Sequence, residues 1–255
     1  MYQSKAVSAE LVFPNEMQAG SKGMGVQRVQ ELLTLQGFAT VIDGKFGPAT
    51  LRALTKFQQK LGLPAGPVDL QTWSALVKPM HELMSYKPRA VLLGEAVMEV
   101  AQAHLAAHPV EAGGDNRGPW VRMYMNGVDG PSQKWCAGFI CFVIARACKA
   151  IGQDLPFKRT FSCDTLAVRA EASSRLVGCE AIAKGAKSWT DLSPVCLFVE
   201  RKSEGDWKHT GFAFRGKDDT FETIEGNTNN EGSNNGYEVC SRVRSTENKD
   251  FVVIA

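Results

Sequence analysis

The sequence predicts an α+β protein in two parts: a small bundle of three helices, then a domain whose helices pack on an antiparallel sheet. Three observations predict it. Apolar residues recur at helical spacing between about residues 23 and 77. Proline and mixed charge interrupt that pattern over 78–92. Beyond residue 195 the period falls to two and strand-favouring residues dominate. A helical start followed by a run of hairpin strands is the pattern of a segregated α+β domain.

Residues 1–20 carry no clear period and read as an irregular lead-in. After them comes an internal echo. Gly44 to Leu54 and Gly66 to Leu76 both read G-x5-T-x-x-A-L, a turn leading into a helix. Val26, Val29 and Leu33 give an apolar stripe from about 25 to 36, closed by Gly37. Pro48 suits the first turn of a second helix, where its missing N–H costs nothing. Leu51, Leu54, Phe57 and Leu61 are expected on its inner face, and Gly62 ends it. Asp69 can cap a third helix carrying Trp73, Leu76 and Val77. Three short helices, each apolar on one face, bury those faces only against one another. This defines a first domain over 1–80, with 78–92 as linker.

A second domain is expected over 90–255. Residues 93–107 read as an amphipathic helix with Ala96, Val100, Ala103 and Ala107 on one side. A Gly- and Pro-rich loop follows from Glu111 to Gln133, then a long apolar helix from Trp135 to Ile151, stopped by Gly152. Strands are expected at 195–200, 210–215, 220–227, 239–244 and 251–254, with Gly216 to Asp219 as a hairpin turn.

With 44% hydrophobic and 22% charged residues, the 255-residue chain can bury two ordinary cores. The net charge of +2 argues against nucleic acid as partner. It divides as +3 over residues 1–80 and −1 over the rest, a mild basic bias toward an anionic polymer. No apolar run approaches the roughly 20 residues of a membrane span. Met1 to Phe13 lacks the basic and apolar blocks of a secretory signal. Synthesis in the cytoplasm is therefore expected, with another component exporting or releasing the chain. The seven cysteines are odd in number and none forms C-x-x-C, which argues against a disulfide framework and against a zinc site. No metal and no cofactor are expected.

One cysteine stands apart. Cys136 sits at a helix start, with Ile140, Val143 and Ala147 continuing its face. There the positive end of the helix dipole favours a thiolate, and free backbone N–H groups can hold an oxyanion. His209 is expected to open a strand, with the small residues Gly211 and Ala213 leaving room beside the imidazole for a helix end or a substrate. Thr223, Glu225 and Asn227 share one face of the next strand, so Glu225 or Asn227 can orient the ring. A lone buried Cys is ordinarily inert and a lone strand His ordinarily structural. Nucleophile, base and orienting group occurring together are the minimum for acyl transfer through a thioester.

Two families are resembled. Val29-Gln30-x-Leu32, Gly37-Phe38, Asp43-Gly44-x-Phe46-Gly47, Thr50, Phe57-Gln58, Gly62-Leu63 and Thr72-Trp73-x-x-Leu76 resemble the type 1 peptidoglycan-binding domain, with Ala65-Gly66 where that family often has Asp-Gly. Asn116-Arg117-Gly118-Pro119, Trp135-Cys136-Ala137-x-Phe139, His209-Thr210-Gly211 and Glu225-Gly226-Asn227 resemble the CHAP family of papain-like cysteine amidohydrolases and peptidases. The resemblance implies Cys136 as nucleophile, His209 as general base and Glu225 as third member, with Asn227 supporting. Pro194-Val195 stands where that family usually has Gly-Asp. Asp115 and Asp129 are too sparse for the calcium loop of some members.

The resemblances imply a peptidoglycan hydrolase that cleaves an amide in the peptide stem, in the cross-bridge or at the sugar–peptide junction. It would act on the wall, in the periplasm or outside, as a phage endolysin or an interbacterial effector, accompanied by an export partner, a holin or an immunity protein. Two rival readings are a catalytically inactive wall-binding or virion component and a cytoplasmic thiol enzyme acting on small amides.

Overall fold

In a computed structural model, which describes residues 5–192, 194–231, 233 and 235–254, the elements run as follows. The helices are α1 (Lys5–Leu11), α2 (Met24–Leu35), α3 (Pro48–Lys60), α4 (Leu70–Ser85), α5 (Leu93–Ala107), α6 (Pro119–Tyr124), α7 (Cys136–Ile151), α8 (Cys163–Ala172) and α9 (Cys179–Ala183). The strands are β1 (Leu176–Val177), β2 (Cys196–Ser203), β3 (Asp206–Lys217), β4 (Thr220–Thr228), β5 (Glu238–Ser245) and β6 (Lys249–Val253). Two units result. The first holds the chain up to Ser85 together with Val110–Gln133, and the second holds Tyr86–Pro109 with the chain from Lys134 onward. The segment 110–133, expected with the carboxy-terminal domain, is thus grouped with the first helices.

The first unit is mixed in its use of apolar and polar burial. Val29, Leu33, Leu54, Phe57, Trp73 and Leu76 make the core that the stripes imply. Leu51 and Leu61 do not join it; they are 44% and 49% exposed. The buried face of α3 is instead Thr50, Ala53, Leu54, Phe57 and Gln58, a run at helical spacing that leaves both leucines on its flanks.

The echo seen in the sequence has a polar cause. Gln30, fully buried, donates from Nε2 to Thr50 Oγ1, to Asp43 Oδ1 and to the Lys45 carbonyl, each at 3.0 Å. Its Oε1 accepts from the N–H groups of Asp43 and Gly44. Gln58 repeats the device, donating to Thr72 Oγ1 at 3.2 Å and accepting from the Gly66 N–H. Each buried amide therefore fastens a turn to the Thr that begins the following helix. Burying an amide without such partners would cost roughly 1–3 kcal/mol.

The helix α4 continues through Pro79 to Ser85, across much of the expected linker. Proline removes the N–H that would bond the Ala75 carbonyl. Gln36 supplies donors there instead: its Nε2 lies 3.3 Å from the Ala75 oxygen and 2.7 Å from that of Leu76. Residues 5–11, expected to be irregular, form α1, whose Leu11 carbonyl accepts from Trp73 Nε1 at 2.9 Å.

The loop 110–133 contains α6, and the buried Arg122 of that helix explains its place in the first unit. The Arg122 guanidinium donates to Glu10 at 2.8 and 2.9 Å, to Glu31 at 2.6 and 3.2 Å, and to Asp129 at 2.8 Å. Arg28 also pairs with Glu10, at 3.0 Å.

In the second unit six antiparallel strands are ordered β1-β6-β2-β3-β4-β5. Leu197, Phe212 and Ile224 are register partners on one face, and α7 covers it through Phe139, whose ring is 6.0 Å from that of Phe212. Helix α5 packs on α7. The other face carries Phe198, Ala213, Phe221 and Phe251. Trp189, in a 3-10 turn at Trp189–Leu192, closes it, with ring distances of 5.4 Å to Phe221 and 5.2 Å to Phe251. The chain is thus a mixed helical and antiparallel-sheet protein. The expected strands are present, two of them within one residue of the expected ends and the others differing by a few, and β1, α8 and α9 are additional.

Candidate active site

Cys136 is the first residue of α7, and its helix buries Ile140, Val143 and Ala147 as the spacing implies. The thiol itself is only 3% exposed. Trp135 at the N-cap makes no side-chain cap bond, and the first-turn N–H groups have no helical acceptor. The Ala137 N–H supports negative charge on the Cys136 sulfur.

His209 is the fourth residue of β3 rather than its first, because the strand starts at Asp206. Its ring is fully buried. The Nε2 atom lies 2.8 Å from Glu225 Oε2. An ionised carboxylate only accepts, so Nε2 carries the hydrogen. The other nitrogen, Nδ1, is buried without a hydrogen-bond partner among the described residues. It is the nitrogen left for Cys136, whose sulfur and the imidazole stabilise each other's charged forms.

Glu225 is fully buried and its acceptor sites are filled. Besides His209, it accepts from Thr223 Oγ1 at 2.6 Å and from Arg244 Nε and Nη2, both at 2.6 Å. The Arg244 guanidinium also lies 5.3 Å over the Phe198 ring. The space that Gly211 leaves goes to this carboxylate, not to a helix end. A Cβ at Gly211 would stand 2.7 Å from Glu225 Cγ and 2.8 Å from Phe198.

Asn227 sits differently. Its Oδ1 accepts from the Trp135 N–H at 3.2 Å and its Nδ2 donates to the Gly236 carbonyl at 2.8 Å. It therefore ties the residue before Cys136 to the loop after β4. Gly226 between the two polar residues is required by packing: a Cβ there would meet Trp135 at 2.6 Å and Phe139 at 2.8 Å. Asn116 to Pro119, the remaining piece of the CHAP resemblance, belongs to the first unit.

Electrostatics make the site a charge relay in space, though not in proton transfer. Burial opposes ionisation of Glu225, but Arg244 and His209 overcome it and hold the carboxyl down at about 2. Burial likewise opposes the imidazolium, yet Cys136 and Glu225 push His209 up to about 9. A hydrogen bond from Cys163 does most to hold the Cys136 thiol well below its ordinary range, against burial, with His209 adding to it. Both directions favour a thiolate–imidazolium pair over the neutral one. The other buried thiols at Cys141, Cys148, Cys196 and Cys240 are pushed up by burial and stay neutral.

Sequence reasoning did not single out Thr223 as a carboxylate donor, nor Arg244, Cys163 or Trp207. Cys163 Sγ is 3.7 Å from Cys136 Sγ. Trp207, half-buried, packs on Cys136, Ala137 and Cys163. It is held there by Asp164, which accepts from its backbone N–H, and by Asp250, which accepts from Nε1 at 2.8 Å. The alternation of β3 puts Trp207 two residues before His209, the one signal available for it. Among the described residues no group of His, Cys, Asp and Glu is arranged to hold a metal, and no helix is long and apolar enough to cross a membrane.

Residues 22–76 match the family model described as "Putative peptidoglycan binding domain". Among solved structures, one titled "The crystal structure of SleB N-terminal domain" is 38% identical over 26% of this chain and 96% of its own, with a TM-score of 0.26. No curated protein matches the chain. The family-model match gives this two-unit chain a peptidoglycan-binding module in its first unit.

Proposed function

We propose that the chain is a peptidoglycan hydrolase of the CHAP type: the first unit holds it on the wall and Cys136 cleaves an amide of the peptide moiety. The observation that carries this reading is the series Arg244–Glu225–His209–Cys136, buried from Glu225 onward and ending on a thiol at the start of α7. In the reaction the Cys136 thiolate attacks the amide carbonyl and forms a C–S bond, with the α7 amides facing the developing oxyanion. His209 gives its Nδ1 proton to the leaving amine. It then takes a proton from the water that hydrolyses the thioester. Glu225 fixes the ring and its charge; it exchanges no proton. Tethering to an insoluble polymer raises local substrate concentration without adding catalytic contacts.

The near-complete burial of Cys136 favours a second reading, a wall-binding component without catalysis. On the hydrolase reading Trp207 must move or form one wall of the substrate cleft. The full chain on purified sacculi distinguishes the two. Release of new amino or carboxyl termini, identified by mass spectrometry, is the expected result and names the bond cut. Sedimentation with sacculi and no released fragment would establish the binding reading instead.

A further inference from the structure

Two cysteines meet at the site where hydrolysis needs one. Cys136 and Cys163 are each the first residue of a helix of more than two turns, α7 and α8. The two helix starts point their thiols together, with the sulfur atoms in van der Waals contact at 3.7 Å. Ser162 caps α8 by accepting from the Thr165 N–H, which fixes that helix start in place. Trp207 covers both cysteines from one side. None of the seven cysteines forms a disulfide.

We propose that Cys136 and Cys163 form a reversible modification site, at which a hydroperoxide converts the pair into an intramolecular disulfide. In the first step the Cys136 thiolate attacks one oxygen of ROOH. An S–O bond forms, the O–O bond breaks, and the departing alkoxide takes a proton from His209, giving ROH and a sulfenic acid on Cys136. Cys163 then attacks that sulfur. The S–S bond forms, the S–O bond breaks, and hydroxide leaves with the Cys163 proton as water. Two thiols lose two electrons in all, and one peroxide becomes ROH and water. Closing the contact from 3.7 Å to a bond of about 2.05 Å brings the two sulfur atoms together across two helix starts.

The two residues have different parts for a physical reason. Either sulfur can donate across the 3.7 Å contact, but His209 beside Cys136 favours the thiolate there, which leaves the proton on Cys163. Cys136 is therefore the sulfur that meets peroxide, and Cys163 resolves it. The bond needs no hydrolase activity. Only its consequence, a silenced nucleophile, rests on the hydrolase reading.

The test uses the full chain, reduced and then treated with one equivalent of hydrogen peroxide. The expected product is lighter by two hydrogens, has two of its seven thiols blocked, and yields a Cys136–Cys163 cross-linked peptide that dithiothreitol dissolves. Cys163→Ser, which keeps a hydrogen-bond donor to the Cys136 sulfur, is expected to stop at the sulfenic acid, trapped by dimedone on Cys136, while the parent chain traps little. Equal dimedone trapping in parent and variant, or a cross-link that maps to other cysteines, overturns the proposal. Hydrolysis is expected to fall in proportion to the cross-linked fraction. If the cross-link forms in a chain that shows no hydrolysis even when reduced, the modification site stands and the hydrolase reading fails.

Discussion

Each unit has an arginine that forks onto carboxylates, Arg122 buried and Arg244 partly so, and the two arrangements end differently. Arg122 is met by Glu10, Glu31 and Asp129, and Glu10 is shared with Arg28, so every path out of its guanidinium ends on another structural charge. Arg244 holds Glu225, but Glu225 also holds His209, and beyond the imidazole lies a thiol. The first arrangement is closed and can only stabilise. The second passes its constraint along two further groups until it reaches a sulfur able to form and break a bond. A buried salt bridge therefore says little by itself about function; what decides is the group on which the series terminates.

The largest effect expected tests that terminus. Cys136→Ala should reduce release of wall fragments by at least about 10³-fold, as loss of one member of a catalytic unit does. Sedimentation with sacculi should be unchanged. The comparison breaks if the alanine variant keeps hydrolysis within a few-fold of the parent, because the second series would then end on nothing chemical.

Arg122→Met tests the closed arrangement. Removing the guanidinium leaves Glu10 and Glu31, 2% and 1% exposed, without their principal cation, and a loss of about 3–5 kcal/mol in denaturant unfolding is expected. The hydrolysis of soluble fragments by the folded fraction should not change. The same network bears on dissection of the chain. A fragment ending near residue 80 lacks Arg122, so its own folding, and not only its wall affinity, would be altered. Division of labour is better measured on full-length variants.

Glu225→Gln sharpens the comparison through pH. With His209 raised to about 9 and Cys136 lowered, the ion pair exists from the Cys136 ionisation up to about pH 9, and the rate should fall as pH rises through that value. Taking away the negative neighbour makes the imidazolium less stable, so the alkaline limb must move to lower pH. A rate loss of about 10²-fold at the optimum is expected, since an amide can still hold the ring. An unshifted limb would mean that Glu225 acts only as packing. Stability follows the same sign. A His whose pKa rises on folding contributes stability that is complete below its unfolded value near 6.5 and is lost as pH rises through about 9.

Much of this was legible from the residues, for reasons that differ between elements. The helices α2, α3, α5 and α7 carry apolar spacing and Gly or Pro at their ends, local signals that a single chain displays. The strand series showed its period for the same reason. Cys136, His209 and Glu225 were singled out because their chemistry is rare at such positions. Arg244 and Cys163 were not, since a strand arginine and a helix cysteine become informative only when the sheet register and two helix starts bring them to the site. The grouping of 110–133 with the first helices was equally hidden, because it depends on Arg122 meeting Glu10 and Glu31 from 112 and 91 residues away. The turn echo was visible, but its cause was not: the sequence shows G-x5-T, whereas the agents are Gln30 and Gln58, outside the repeated string.

The smallest effect expected concerns Pro79, where the first unit repairs a backbone fault with a side chain. Without Pro79's N–H, the Ala75 carbonyl loses its helical donor, and Gln36 Nε2 stands 3.3 Å from that oxygen and 2.7 Å from the next. Gln36→Ala should cost about 1 kcal/mol, the usual net worth of such a bond, read as a lower denaturation midpoint with unchanged slope. Packing loss alone would give a similar figure, so the decisive measurement is a double-mutant cycle with Pro79→Ala. That change restores an N–H to residue 79, and the helix can then satisfy Ala75 internally. If Gln36 acts by supplying the missing donor, its truncation must cost less in the Pro79→Ala background than in the parent. Equal costs in both backgrounds would show that the two residues are uncoupled and that Gln36 stabilises the unit only through the Leu76 carbonyl and its own packing.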